Sequence, residues 1–191
     1  MKSESIHRNA GSNVIKHLMI SLFFASSAVA QAEDQPARAP HLGPEECTVW
    51  KREQSFARSV AEHDAIAFAD HIAEDAVFDV GRADAIRGRA TIVKRWEGII
   101  DGKLIRPRWY PTQVVLGGTG DLAWSTGPVL IEDVGSKTRD RYQVSTFRSI
   151  WRKDPDGLWR VLFDEGGDPR AASAKDVQTF DRGRVECGAD S

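Results

Sequence analysis

Two acidic residues, Asp79 and Glu165, are placed where a carboxylate could act as a general base. Asp79 follows the apolar pair at 77–78, and Glu165 ends an alternating run that sets Trp159, Val161 and Phe163 on its own face. A carboxyl group in an apolar cavity has a raised pKa, which suits it to take a proton from the carbon beside a carbonyl group. The alternatives are a turn-capping role for Asp79 and an exposed strand end for Glu165.

Aromatic side chains are candidates for the walls of the pocket that such a base would need. A tyrosine hydroxyl or an indole N–H could also hold the oxygen of an enolate. Each aromatic residue could instead belong to the core, and a helix histidine is more often exposed or satisfied, so those interpretations stay open. The candidates for ligand contact are Trp96, Trp109, Trp124, Tyr142, Trp159, Phe163 and, at the rim, His71.

No metal, cofactor or nucleic-acid site is predicted. Beyond residue 32 the chain keeps His41, His63, His71 and two cysteines, which give poor support for a Cys/His cage. Ser125 and Ser145 lack the Gly-x-Ser-x-Gly setting of a nucleophile. The net charge is −2, with mixed signs, so there is no basic surface for nucleic acid.

The N-terminus has the pattern of a secretory signal peptide. Lys2, Arg8 and Lys16 precede an uncharged run at 18–30, and the residues at 30–32 match the small-x-small cleavage pattern. The apolar run is shorter than the about 20 residues needed to cross a membrane, although a retained anchor is the alternative. We therefore expect cleavage after residue 32 and export to the periplasm or the medium, with no membrane attachment afterwards.

The chain has two cysteines, Cys47 and Cys187, one near each end of the expected mature domain. An even count in an oxidising compartment predicts a disulfide between them. Closing a loop of about 140 residues would stabilise the fold by up to about 5 kcal/mol. The alternative is two free thiols.

Periodic patterns predict one α+β domain at 45–168, between a linker at 33–44 and a polar, irregular tail at 169–191. Pro44 in a first turn, Asp64 as an N-cap and the apolar spacing at 90–100 predict three helices. Strands are predicted at 76–80, 108–116, 122–132, 139–153 and 158–165. Three helices cover only part of one face of a twisted antiparallel sheet, so the uncovered part becomes a cavity.

Four segments resemble the NTF2-like superfamily and, within it, the exported SnoaL-like (DUF4440) proteins. They are Ala73–Phe78, Arg87–Ile92, Gly120–Pro128 and the hairpin Ser149–Val161, in the order typical of these families. The resemblance implies a cone in which three N-terminal helices pack on a curved, mostly antiparallel sheet. These families include ketosteroid isomerase-like enzymes, polyketide cyclases and binding or assembly domains, so the fold alone does not define the function.

Three functions are consistent with the sequence. The first is a binding module for a small apolar or amphipathic molecule, favoured by many aromatic residues and few converging ionisable groups. The second is an enzyme of the isomerase or cyclase kind with Asp79 or Glu165 as its base. The third is a dimeric assembly or interaction domain whose cavity is vestigial, and a homodimer through the open sheet face is also consistent with the binding module.

Overall fold

The structure, a computed structural model, describes residues 41–138 and 141–188. The predicted signal peptide and the linker up to residue 40 lie outside the described residues. The helices are α1 (Pro44–Ala61), α2 (Ala65–Asp70), α3 (Arg89–Ile100) and α4 (Ala174–Arg182). The strands are β1 (Ile72–Phe78), β2 (Ile86–Arg87), β3 (Ile105–Trp109), β4 (Gln113–Gly117), β5 (Leu122–Asp133), β6 (Tyr142–Lys153), β7 (Trp159–Gly166) and β8 (Arg170–Ala171).

The strands form one sheet in the order β2-β1-β7-β6-β5-β3, in which β4 also pairs with β5 and β8 also pairs with β6. All pairs are antiparallel except β1 with β7, which is parallel. Helices α1, α2 and α3 pack together on the inner face of this sheet. The predicted α+β class, with three N-terminal helices on a curved and mostly antiparallel sheet, is confirmed.

The helix ends follow the local sequence signals. Helix α1 begins at Pro44, and the carboxylate of Glu46 accepts a 2.9 Å hydrogen bond from the backbone N–H of Gly43. The side chain of Asp64 caps α2 by accepting from the N–H groups of residues 66 and 67 at 3.0 and 2.9 Å. Helix α2 nevertheless ends at Asp70, and β1 starts at Ile72, four residues earlier than the predicted strand.

The strand predicted at 108–116 is wrong as a single element, because the chain breaks at 110–112 into β3 and β4. Pro111 has no N–H to donate to a ladder, and both strands pair with β5 on either side of the break. Gly127 of β5 permits this corner, since a Cβ there would lie 2.0 Å from the carbonyl oxygen of Tyr110. The corner turns β3 inwards, and β3 then forms one wall of the inner cavity.

The predicted alternation along the last long strand is wrong beyond Leu162, because β6 and β7 pair through a bulge. Trp151 lies opposite Val161, whereas Ile150 lies opposite Phe163, so Leu162 is the extra residue. One inserted residue exchanges the two faces of the strand that follows it. Every residue of β7 after Leu162 therefore faces the side opposite to the predicted one.

The C-terminal segment, predicted to be irregular, forms β8 and α4. Ser173 caps α4 in a reciprocal pair with Asp176. Phe180 is buried with Tyr110 and Leu130 in a second, smaller apolar cluster. A single aromatic residue in an otherwise polar segment is a weak sequence signal, and contact with the sheet makes this helix stable.

Cys47 and Cys187 form the predicted disulfide, which joins α1 to the end of the C-terminal segment. The amide of Gln54 adds a second link between these parts by donating a 3.1 Å hydrogen bond to the carbonyl of Val185. Among the described residues, none of the helices has the length and apolar character to cross a membrane.

Candidate functional site

An inner cavity of about 220 Å³ lies between the helices and the concave side of the sheet. Its walls are mainly apolar, and four of its side chains are aromatic. It is smaller than typical drug-sized pockets of about 300–1,000 Å³, so it fits a small molecule. The aromatic walls come from Phe56 of α1, Trp96 of α3, Trp109 of β3 and Phe147 of β6, and the aliphatic walls from Ile99, Ile105, Val129 and Ile131.

The carboxyl group inside this cavity belongs to Asp164, which the bulge at Leu162 turns inwards. The Ser149 hydroxyl donates a 2.7 Å hydrogen bond to Asp164 Oδ2. Among residues 41–138 and 141–188, Ser149 is the residue whose side chain hydrogen-bonds to this carboxyl group. The pKa of Asp164 is raised to about 7. Burial is the largest cause, the Ser149 hydrogen bond opposes the rise, and repulsion by Glu53, Asp79 and Glu165 adds to it.

Glu53 on α1 is fully buried, and repulsion by its carboxyl group helps to raise the pKa of Asp164. The indole N–H of Trp109 donates to Glu53 Oε1 at 2.8 Å, and the indole N–H of Trp151 donates to Oε2 at 2.9 Å. The Ser125 hydroxyl donates to Oε2 at 2.6 Å. Burial raises the pKa of Glu53, and these donors, together with Ser149, act against the rise.

Asp79 also lines the cavity, directly after β1. Its φ of 57° lies in the left-handed region, which is sparsely populated by residues other than glycine. The carbonyl of Asp79 accepts a 2.9 Å hydrogen bond from the N–H of Arg82, so its backbone forms a turn. The main chain of Asp79 therefore makes a turn at the cavity wall, and its role as a base stays a prediction.

Of the predicted ligand contacts, Trp96 and Trp109 line the cavity. Phe163 is 37% exposed on the outer face, which corrects its predicted position, because the bulge precedes it. Trp124 lies on the same outer face, in register with Ile150.

Three other predicted contacts are also separated from the cavity. Trp159 is buried, and its indole N–H donates to Glu45 at 3.2 Å. Tyr142 packs beside the small cluster around α4. His71 is buried next to Phe56, and burial lowers its pKa to about 4, so it is neutral.

Glu165, the second predicted base, does not face the cavity. It lies in register with Arg148 of β6, and its carboxylate would contact a Cβ placed on Gly81. Asp164 lines the cavity at the position predicted for Glu165, because the bulge adds one residue to the strand and reverses the faces of the residues after it. The signal for Glu53 was visible in the sequence, since this acid interrupts the apolar stripe of a helix between Val49 and Phe56.

No group of three or more His, Cys, Asp or Glu side chains in the described part of the chain is arranged to hold a metal ion. The chemistry that this arrangement can provide is hydrogen bonding and proton exchange by Asp164, in a cavity with mainly apolar walls.

Comparisons with known proteins support the fold. No family model matches the sequence, and no curated protein matches it either. An NTF2-like protein of unknown function from Pseudomonas putida is 17% identical, with a TM-score of 0.53 over 65% of this chain and 86% of that one. A ketosteroid isomerase-like protein from Erwinia carotovora atroseptica is 14% identical, with a TM-score of 0.54 over 65% and 96%.

A domain of unknown function with a cystatin-like fold from Nostoc punctiforme is 16% identical, with a TM-score of 0.54 over 74% of this chain and 86% of that one. At such identities these likenesses show the fold and leave the activity open. The chain thus has the NTF2-like fold that its four sequence segments predicted.

Proposed function

Because the chain has the NTF2-like fold with an inner cavity, we propose that it binds a small, mainly apolar molecule there and holds one polar group of that molecule against Asp164. One observation carries the proposal: the carboxyl group of Asp164, held by a hydrogen bond from Ser149, lines a mainly apolar cavity. A ligand with one polar group would add a hydrogen bond to this carboxyl group while its apolar part contacts the aromatic and aliphatic walls.

The test is a cavity-filling substitution. Val129→Phe places a larger side chain in the cavity, whereas Val115→Phe makes the same change on the exposed outer face. Fragment-sized aromatic compounds should shift the NMR signals of Trp96 and Trp109 in the wild type and in V115F, and should lose this effect in V129F. Binding that survives in V129F would show that the compounds sit elsewhere and would refute the proposal.

A second candidate function is proton transfer, with Asp164 as general acid or base. It is favoured by the pKa of about 7 that burial gives this group, because both protonation forms are then populated near neutral pH. An enzyme of the isomerase or cyclase kind would use the carboxylate to take a proton from the carbon beside a carbonyl group and return it at another position. Enolisable carbonyl compounds in D₂O should exchange that hydrogen in the presence of wild type and not of Asp164→Asn. Equal exchange with both proteins would exclude this role.

We also propose that the protein is exported. The support is the signal-peptide pattern at 1–32 together with the Cys47–Cys187 disulfide, since such bonds persist in oxidising compartments. Expression of the full chain in a Gram-negative host should give a periplasmic or secreted product that begins at residue 33. Mass spectrometry of that product would measure this, and a cytoplasmic chain that keeps residues 1–32 would contradict it.

A homodimer through the outer sheet face is also proposed. Val115, Trp124, Ile150 and Phe163 are cross-strand neighbours on four adjacent strands and form one apolar stripe. On the same outer face, Arg148 lies two residues before Ile150 and pairs with Glu165, which lies two residues after Phe163. Both charges therefore border the stripe, where they can pair with the opposite charges of a second copy. Light scattering should show a dimer for the wild type and a monomer for Ile150→Arg. A monomeric wild type would exclude the dimer.

A further inference from the structure

We infer that the polar group bound by Asp164 is an ammonium ion, so that the cavity takes a small aromatic or alkyl amine in its protonated form. This inference rests on the proposed function and specifies the class of its ligand. Two features of the cavity support it independently, namely the balance of charge around Asp164 and the four aromatic rings in its walls.

The charged groups that face Asp164 are mostly acidic. Asp79 lines the same cavity after β1, and the buried carboxyl group of Glu53 on α1 is close enough to repel a negative charge on Asp164. Among residues 41–138 and 141–188, none of the carboxyl groups of Glu53, Asp79 and Asp164 forms an ion pair with a basic residue. The two acidic residues that line the cavity, Asp79 and Asp164, therefore have no ion-pair partner among the described residues.

Arg82 is the basic residue that lines this cavity, and it does not neutralise the carboxyl group of Asp164. Its side chain is 56% exposed, and its Nη2 lies 3.9 Å from the carboxylate of Asp168, which is fully exposed. Arg82 therefore extends to the rim and leaves the interior acidic. A buried carboxylate without a positive partner is unfavourable, and a ligand cation within hydrogen-bond distance would remove that penalty.

The aromatic walls fit the same ligand. Trp96, Trp109, Phe56 and Phe147 surround the cavity, and tryptophan is the side chain that attracts cations most strongly through its ring face. The indole N–H of Trp109 does not repel a ligand cation in the cavity, because it donates a 2.8 Å hydrogen bond to Glu53. An anionic ligand would be repelled by the acidic groups, and a neutral ligand would leave Asp164 in its protonated form, whereas an ammonium ion would favour the ionised form and pair with it.

The experiment compares two probes of the same shape, benzylamine and benzyl alcohol, on the purified disulfide-bonded protein near neutral pH. Titration calorimetry measures the affinities, and the NMR signals of the Trp96 and Trp109 indoles report the location. We expect benzylamine to bind about tenfold more tightly than benzyl alcohol or better. In Asp164→Asn this preference should fall to about threefold or less, while the affinity for benzyl alcohol is kept.

Glu165→Gln is the matched control, because it removes one negative charge from the neighbouring residue on the other side of the strand. This variant should keep most of the preference for the amine. Benzyl alcohol that binds as tightly as benzylamine would overturn the ammonium inference while leaving the proposed cavity function intact. If neither probe moves the two indole signals, both the inference and the proposed function fail.

Discussion

Neutralising Asp164 should stabilise the folded protein, and the gain should grow with pH. In the folded chain the pKa of Asp164 is raised from its ordinary value of 3.8 to about 7, chiefly by burial. Between these two values the folded state keeps a proton that the unfolded chain has lost. The stability that depends on the protonation of Asp164 is therefore fully present below pH 3.8 and is lost as the pH rises to about 7. Above pH 7 this group causes no further loss of stability.

The size of the effect follows from the two pKa values. A shift of about 3 units corresponds to about 4 kcal/mol. Asp164 is still partly accessible through the cavity, so screening reduces this to roughly 2–3 kcal/mol at pH 8. At pH 5 the solution is only about one pH unit above the ordinary pKa of 3.8, so the loss of folding stability caused by Asp164 is about 1 kcal/mol. The stabilisation by Asp164→Asn should thus be about 1–2 kcal/mol larger at pH 8 than at pH 5.

Urea unfolding of the wild type and of D164N at both pH values measures this difference directly. The comparison between the two pH values cancels the effect of the amide itself on packing, because that effect is present at both. E165Q is the control for the loss of an acidic side chain on the other face of the strand, and its change in stability between the two pH values should be smaller than that of D164N. If the stability change of D164N is the same at pH 5 and pH 8, the burial of this carboxyl group has been misjudged and the reasoning is refuted.

Two further predictions concern the parts that support the site. Trp109→Phe removes the indole donor of buried Glu53 and should lower the free energy of unfolding by about 1–3 kcal/mol, whereas Trp124→Phe on the outer face should change it by under about 0.5 kcal/mol. Equal losses in denaturant unfolding would contradict the assigned network. Replacing Cys47 and Cys187 together by serine should cost about 2–5 kcal/mol, seen as a lower melting temperature that reductant no longer alters. A melting temperature like that of the oxidised wild type would argue against a stabilising bridge.

Much of the fold could be predicted from local patterns. The Pro44 start of α1, the Asp64 cap of α2 and the apolar spacing of α3 are encoded by neighbouring residues, and the structure has each helix near its predicted place. The disulfide could be predicted from cysteine number and compartment alone. Helix α4 could not, because Phe180 becomes an anchor only when Tyr110 and Leu130 of the sheet are brought beside it.

The site shows the limit of local prediction most clearly. The sequence determined that an acid would follow the apolar alternation of the last long strand and that another acid, Glu53, interrupts a helical stripe. Only the tertiary structure decided that Asp164, and not Glu165, faces the cavity, because the pairing with β6 inserts a bulge at Leu162. A bulge depends on how two strands fit together across the sheet, and its energy is set by partners distant in sequence. The residues of a single strand therefore cannot reveal which of two adjacent acids is buried.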